Sequence, residues 1–252
     1  DKVEVAVLAH SSAHHPDSIA LLDRGISVIS VGDQMADVDA MTLESERAMR
    51  SAASLVVGAG MSPGLVGLIA RYLTTQLASI DEIHVGIHGT AGPACARQHH
   101  RGLAGHAVAF DDGSFTTFRA GTGRQLEWFP EPVGAYDCYR AEVPGPVLMH
   151  RTFPDAVRIS ARLSANRRDR LTSRLPMLTP PHREGGVGAL RVEVRGADTS
   201  GARLTLIAGI AEMVGSATAA TVCAYLDAIL DGDFPVGLNL PGDERVNTTA
   251  LL

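Results

Sequence analysis

The stretch that decides the fold is Ser54-Leu-Val-Val-Gly-Ala-Gly-Met-Ser-Pro-Gly-Leu-Val-Gly-Leu-Ile-Ala-Arg-Tyr-Leu73. Its apolar run stops at Gly58-Ala59-Gly60, and a helical pattern opens at Pro63. Proline suits the first turn of a helix because its φ is already helical and its missing N–H would have no partner there. The stretch therefore predicts a buried strand, a glycine turn and a helix, in that order.

Two further strand–helix pairs precede this stretch. Residues 3–9 are dense in Val, Leu and Ala, as is typical of a parallel strand covered on both faces, and residues 26–31 form a similar run. Residues 14–24 predict a short helix, and residues 37–51 predict a single amphipathic helix. Strands that alternate with helices of this length indicate βαβ units and a parallel sheet.

The pattern changes after residue 80. Residues 83–88 alternate like a strand, and residues 106–119 predict a hairpin that turns at Asp111-Asp112-Gly113. Residues 190–195 and 202–207 predict two more strands on either side of a turn. Residues 212–230 predict a helix that packs back on the first domain. We therefore expect a first domain over 1–80, completed by 211–252, and a second domain over 81–210.

Composition excludes several classes of function. The chain of 252 residues carries a net charge of -6, which disfavours a nucleic-acid surface. Residues 51–70 carry no charge, but Pro63 and several glycines would break a membrane-spanning helix there, so we expect no membrane span. Three widely spaced cysteines indicate a reducing compartment, which we take to be the cytoplasm.

Three stretches together resemble a known family. Val57-Gly-Ala-Gly-Met-Ser-Pro-Gly-Leu65 resembles the G-x-x-P-G-L turn of the saccharopine dehydrogenase-like family. Residues 14–30 resemble a helix and strand from the later half of a Rossmann domain, and residues 80–86 with Trp128-Phe-Pro-Glu-Pro-Val-Gly134 resemble that family's second domain. The resemblance covers most of the chain and is most specific at 57–65 and 128–140. It implies an α/β protein, with an incomplete Rossmann-like parallel sheet and a second α+β domain built on a largely antiparallel sheet.

The resemblance also implies an activity and a partner. Its members transfer a hydride between NAD(P) and an amine, imine or carbonyl carbon, and many form homodimers, so we expect a small-molecule substrate and a homodimer. The family's first strand and G-x-G-x-x-G turn are absent, since Pro63 stands where the third glycine after Gly58 and Gly60 would be. We expect the missing segment to lie upstream of Asp1, and we expect NADP or NAD to bind only when it is supplied.

Two other functions remain open on the sequence. One is a non-catalytic dimeric or ligand-binding module that has lost cofactor binding. The other is a different amine-forming reductase of similar layout, such as an amino-acid dehydrogenase.

Ligands of parallel sheets bind at the carboxyl ends of the strands. The resemblance therefore places His10 and Ser11 near the nicotinamide ribose, and Gly58, Ala59, Gly60 and Met61 near the nicotinamide ring. His10 is also a candidate general acid, because histidine exchanges protons near neutral pH. The competing interpretation is that these are ordinary polar residues of loops.

Tyr136-Asp-Cys-Tyr-Arg140 concentrates reactive side chains. Arg140 is a candidate for binding a substrate carboxylate through a bidentate pair, and Tyr139 is a candidate catalytic donor to a carbonyl oxygen or imine nitrogen. The alternative is a loop at a domain interface, packed on Trp128 and Phe129. Cys138 is expected to be an inert buried thiol.

The ten histidines do not form a recognisable metal motif. His84 and His88 would share one face of a strand, but about 13 Å would separate them at the usual rise per residue, which is too far for one ion. No metal site is therefore predicted.

Overall fold

The computed structural model describes residues 3–252, and the chain divides into two compact units. The first unit consists of the residues up to Arg71 together with Ala217–Leu252, and the second consists of Tyr72–Ser216.

Strands and helices alternate along much of the chain. In order they are β1 (Val5–Leu8), α1 (His15–Leu22), β2 (Ser27–Ser30), α2 (Met35–Thr42), α3 (Ser45–Arg50), β3 (Ser54–Val57), α4 (Val66–Thr74), β4 (Ser79–His88), α5 (Pro93–Gly102), β5 (His106–Asp111), β6 (Ser114–Arg119), β7 (Gln125–Trp128), β8 (Ala135–Arg140), α6 (Gly145–Thr152), β9 (Arg158–Ser164), α7 (Arg167–Thr172), β10 (Val187–Ala197), β11 (Arg203–Met213), α8 (Val214–Leu230), β12 (Gly237–Asn239) and α9 (Thr248–Leu251).

The first unit contains a parallel sheet of four strands in the order β1-β2-β3-β12. Every residue of β3 is buried, as expected for a strand whose two faces are both covered. Leu68 of α4 and Tyr225 of α8 pack with Ile29 and Val56 in the core of this unit. β1 is an outer strand, and it runs parallel to β2 with α1 between them in the chain.

Two features of the first unit differ from the sequence prediction. Residues 37–51 form α2 and α3 rather than one helix. The break lies where Thr42 Oγ1 donates to the Asp39 carbonyl (2.8 Å) and where Glu44 accepts from His15 Nε2 (2.9 Å), a contact that the local pattern does not contain. β12 was also not predicted, because its three residues are too few to show a periodic pattern.

The second unit contains a mixed sheet of eight strands. Its main path runs β11-β10-β4-β9-β5-β6, and β8 pairs with both β7 and β9. β4 and β9 are parallel, whereas the other pairs are antiparallel. The hairpin predicted over 106–119 is present as β5 and β6, with Asp112 and Gly113 at positive φ in its turn.

The two faces of this sheet differ in chemistry. One face carries Ile83, Val85 and Ile159, which are buried, and Phe110, on whose ring His150 of α6 stacks. The opposite face, called here the polar face, carries alternate residues of the same strands. These residues include Glu82, His84, Arg158, Ser160, Arg162, Glu193 and Arg195.

Residues 136–140 form the strand β8 and not the interface loop that was the alternative prediction. The alternation was hard to read because polar side chains occupy both faces of this strand. Cys138 packs with Phe129 and Ala189 in a small buried cluster. Burial raises the pKa of the Cys138 thiol to about 12, so this group is unreactive as a nucleophile.

Among residues 3–252, no helix combines the length and apolar character needed to cross a membrane.

Candidate active site

Three loops of the first unit lie at one edge of its parallel sheet. They follow β1, β2 and β3 and contain residues 9–14, 31–34 and 58–61. Because the strands are parallel, these loops meet at the carboxyl edge, where such sheets bind ligands.

The loop after β1 is exposed at its tip and anchored at its end. His10 is exposed, with Nε2 3.1 Å from Asp17 Oδ2 and Nδ1 2.8 Å from Ser12 Oγ. The side chain of His14 is buried and bonds Ser30 Oγ through Nδ1 (2.7 Å). A rigid anchor therefore holds an accessible imidazole at this edge.

The start of α1 is occupied by a protein carboxylate. Asp37 of α2 accepts from the backbone N–H groups of His14 and His15, at 2.8 and 2.9 Å. A helix start is the usual place for a phosphate, because its N–H groups lack partners within the helix. Here Asp37 already satisfies two of them.

Two backbone donors of the glycine turn after β3 already have partners elsewhere in the first unit. Gly58, Ala59, Gly60 and Met61 are all buried. The N–H of Ala59 donates to the Ser30 carbonyl (2.7 Å), and the N–H of Met61 donates to Thr218 Oγ1 (3.1 Å). The turn therefore supports the sheet edge and the start of α4, and two of its donors are unavailable to a phosphate.

Tyr139 and Arg140 face in opposite directions, because neighbouring residues of a strand alternate between its two faces. Tyr139 is 6% exposed, lies beneath the guanidinium of Arg170 (4.9 Å) and borders an open cavity of about 590 Å³. Arg140 lies over the ring of Phe118 (3.9 Å) and borders a different cavity on the polar face. The structure does not bring these two candidates together.

A third cavity of the second unit, of about 300 Å³, concentrates histidines. It lies where β4 and β9 end, against α5, and we call it the histidine cavity. The side chains that define it are His88, His99, His100, Tyr136, Ser164 and His182. Its size and its mixture of apolar and polar walls are those of a site for a small molecule.

His88 has the features of a proton-transfer group. Its Nδ1 lies 2.8 Å from Ser164 Oγ, and its ring lies 4.2 Å from the ring of Tyr136. Burial lowers the pKa of His88, so the imidazole is neutral near neutral pH. Within residues 3–252, Nε2 of this ring has no hydrogen-bond partner. A positioned neutral imidazole with one nitrogen free can accept a proton from a substrate or return one.

From the sequence, His88 was a candidate only as a metal ligand. Its hydrogen-bond partner Ser164 lies 76 positions further along the chain. One feature of the sequence could have pointed to His88 as a site residue. It is the last residue of β4, directly before Gly89, and the positive φ of Gly89 ends that strand.

Comparison with solved structures defines the fold. The chain matches an apo histidine-tagged saccharopine dehydrogenase (L-Glu forming) from Saccharomyces cerevisiae with a TM-score of 0.66 at 12% identity, over 98% of this chain and 81% of that one. A mutant of meso-DAPDH from Clostridium tetani E88 with DAP matches with a TM-score of 0.47 at 11% identity, over 99% and 78% of the two chains. A myo-inositol dehydrogenase from Corynebacterium glutamicum ATCC 13032 matches with a TM-score of 0.43 at 12% identity, over 100% and 76%.

No family model and no curated protein matches the sequence. The match to the yeast enzyme shows that this chain has the fold of saccharopine dehydrogenase. The predicted resemblance and the predicted fold class, a parallel α/β sheet with a second, largely antiparallel sheet, are thereby confirmed. At 12% identity the match carries the fold alone.

Proposed function

We propose that this chain functions as an NAD(P)-dependent oxidoreductase that transfers a hydride at an amine, imine or carbonyl carbon. The observation that carries the proposal is the match to saccharopine dehydrogenase over 98% of the chain. The exposed polar loop at the carboxyl edge and the histidine cavity supply a place for a cofactor and a place for a substrate.

The residues fit a nicotinamide cofactor in part. His10 and Ser11 are exposed at the carboxyl edge, where they can donate to or accept from a ribose. The glycine turn after β3 does not fit a pyrophosphate, because its N–H groups at Ala59 and Met61 are already bonded. The nicotinamide half of the cofactor therefore has candidate partners in this chain, whereas the pyrophosphate would find two N–H groups of the glycine turn, at Ala59 and Met61, already bonded.

In the second unit, His88 is the candidate proton-transfer group. Its Nε2 would take the proton that a substrate amine or hydroxyl loses, while Ser164 Oγ fixes the ring through Nδ1. Tyr136 stands beside the ring at 4.2 Å and limits its rotation.

The second candidate function is a ligand-binding module without catalysis. The satisfied glycine turn and the presence of Asp37 at the start of α1 favour it, since both occupy positions where a phosphate would bind. In this case the histidine cavity would bind its ligand without a cofactor.

Calorimetry on the 252-residue chain separates the two functions. The oxidoreductase proposal expects NADH or NADPH to bind, and it expects nicotinamide mononucleotide to bind nearly as tightly as NADH, because the pyrophosphate gains little from the turn. His10→Ala should weaken both interactions, whereas His106→Ala, which removes an exposed histidine of β5, should not. Absence of any nicotinamide binding would favour the ligand-binding module.

A further inference from the structure

The polar face of the second unit contains a cavity that the proposed function does not use. Its volume is about 290 Å³, and all the strands from β4 to β10 contribute to it. Phe129 and Glu127 lie over Gly86 of β4, which stands along that strand between His84 of this cavity and His88 of the histidine cavity. We call it the arginine cavity because four arginines border it: Arg140, Arg158, Arg162 and Arg195.

Two of these arginines are paired with carboxylates. Arg158 contacts Glu82 (2.7 Å) and Asp111 (2.8 Å). Arg195 contacts Glu82 (2.9 Å) and Glu193, so these charges are locally balanced.

Arg140 and Arg162 have no such partner in the part of the chain that the structure describes. They are direct neighbours across β8 and β9, so both side chains stand on the polar face. The ring of Phe118 lies 3.9 Å from Arg140 Cζ, and Arg162 Nε donates to the Gly123 carbonyl (3.2 Å). These contacts fix both guanidinium groups. Within residues 3–252, however, the guanidinium nitrogens of Arg140 and the two terminal nitrogens of Arg162 lack hydrogen-bond partners.

This arrangement costs stability in the absence of an anion. Like charges directly opposite one another on a sheet repel. Burial lowers the pKa of Arg162, and the neighbouring charge of Arg140 lowers it further, while Glu127 and Cys138 offset only part of this. An anion between the two groups would reverse both effects.

We propose that Arg140 and Arg162 form a binding site for a small oxyanion, a carboxylate or a phosphate group of a metabolite, separate from the histidine cavity. A guanidinium group presents two parallel N–H donors that match the two oxygens of either anion. Gln125 also borders this cavity, and its amide can donate to a further oxygen of a phosphate. This site does not depend on hydride transfer.

Titration of the 252-residue chain with inorganic phosphate and, separately, with glutarate tests the site. Calorimetry should detect binding of at least one of them, and the tighter ligand identifies the source as phosphate or carboxylate. Arg162→Gln and Arg140→Gln should each weaken binding roughly tenfold or more, because each removes one charged donor fork. Arg203→Gln is the matched control, since it removes the same charge from an exposed arginine that pairs with Asp81 outside the cavity. Equal binding by Arg162→Gln and Arg203→Gln would overturn the site.

Stability without ligand provides an independent readout. Arg162→Gln should raise the melting temperature of the anion-free protein, because it removes the repulsion from Arg140, and it should reduce the rise that the anion causes in the wild type. Arg162→Lys keeps the charge but loses the fork, so it should bind the anion more weakly without the gain in stability. If no anion binds the wild type and Arg162→Gln instead turns a dimer into a monomer in light scattering, the pair contacts a second copy of the chain and the proposal is wrong.

Discussion

His88 is the residue on which a catalytic role for the second unit depends. Its imidazole is oriented by Ser164 and made neutral by burial, since burial lowers its pKa below the ordinary value of 6.5. Orientation and a suitable protonation state are what general acid–base catalysis requires.

His88→Asn should lower kcat by about 10²- to 10⁴-fold, because the amide cannot take up a proton. The acidic limb of the pH–rate profile, which His88 places below 6.5, should disappear in this variant. His106→Asn, which changes an exposed histidine of β5, serves as the control. Unchanged kcat with an unchanged profile in His88→Asn would remove this residue from the mechanism.

His150 is a histidine that lowers the stability of the folded protein. Its ring stacks on Phe110 with centroids 3.8 Å apart, and within residues 3–252 its buried Nδ1 has no hydrogen-bond partner. A buried polar atom without a partner destabilises the folded state.

His150→Phe should raise the melting temperature, because it keeps the ring contact and removes the unpaired nitrogen. Burial lowers the pKa of His150 from 6.5, so between the two values the unfolded state binds a proton that the folded state does not. The folded protein therefore loses stability as the pH falls below 6.5, because protons then bind His150 in the unfolded state. The variant lacks this group and should lose less stability over the same pH range. The measurement is thermal unfolding at several pH values, and a fall in melting temperature would contradict the account.

At the scale of elements, the start of α4 depends on the close approach of two backbone segments. A Cβ on Gly64 would lie 2.7 Å from the carbonyl oxygen of Gly58 and 2.8 Å from the carbonyl carbon of Ala59. The glycine is therefore needed for packing the helix start against the turn that follows β3.

Gly64→Ala should destabilise the protein by roughly 1–3 kcal/mol, because the turn or the helix must move to admit the methyl group. Gly215→Ala is the matched control: this glycine lies near the start of α8 with nothing within 4 Å of its Cβ position. The control should be neutral or more stable by about 0.5–1 kcal/mol through helix propensity. Chemical denaturation measures both changes, and equal stabilities would show that the close approach is not required.

The elements were predictable where the sequence carries local information. The strand, turn and helix from Ser54 to Leu73 follow from an apolar run, glycines and a proline, and the hairpin of β5 and β6 follows from its turn residues. The division of residues 37–51 into α2 and α3 was not predictable, because the contact between His15 and Glu44 joins residues 29 positions apart.

The candidate sites were less predictable than the elements. The loops at the carboxyl edge follow from the order of the strands, so the position of His10 and Ser11 at this edge was predictable. The pairing of Arg140 with Arg162 and of His88 with Ser164 requires the register of β8, β9 and β4, which no local pattern encodes. The functional roles of all these residues remain predictions.

At the scale of the whole molecule, the two units carry different parts of the chemistry that we propose, one on a parallel sheet and the other on a mixed sheet. The parallel sheet offers an edge for the nicotinamide half of a cofactor, and the mixed sheet offers the histidine cavity and the arginine cavity. The match to saccharopine dehydrogenase extends over 98% of the chain and therefore covers both units.

The central claim is that this protein transfers a hydride, and isotope transfer tests it most directly. The chain would be incubated with NADPH or NADH that carries deuterium at both hydrogen positions of the nicotinamide C4, together with a panel of 2-oxo acids and amines, and the products would be analysed by mass spectrometry. We expect one product to carry a single deuterium on the carbon that was reduced, and we expect His88→Asn to suppress its formation. Binding of the nicotinamide without deuterium transfer to any substrate, in the wild-type chain, would contradict the oxidoreductase account.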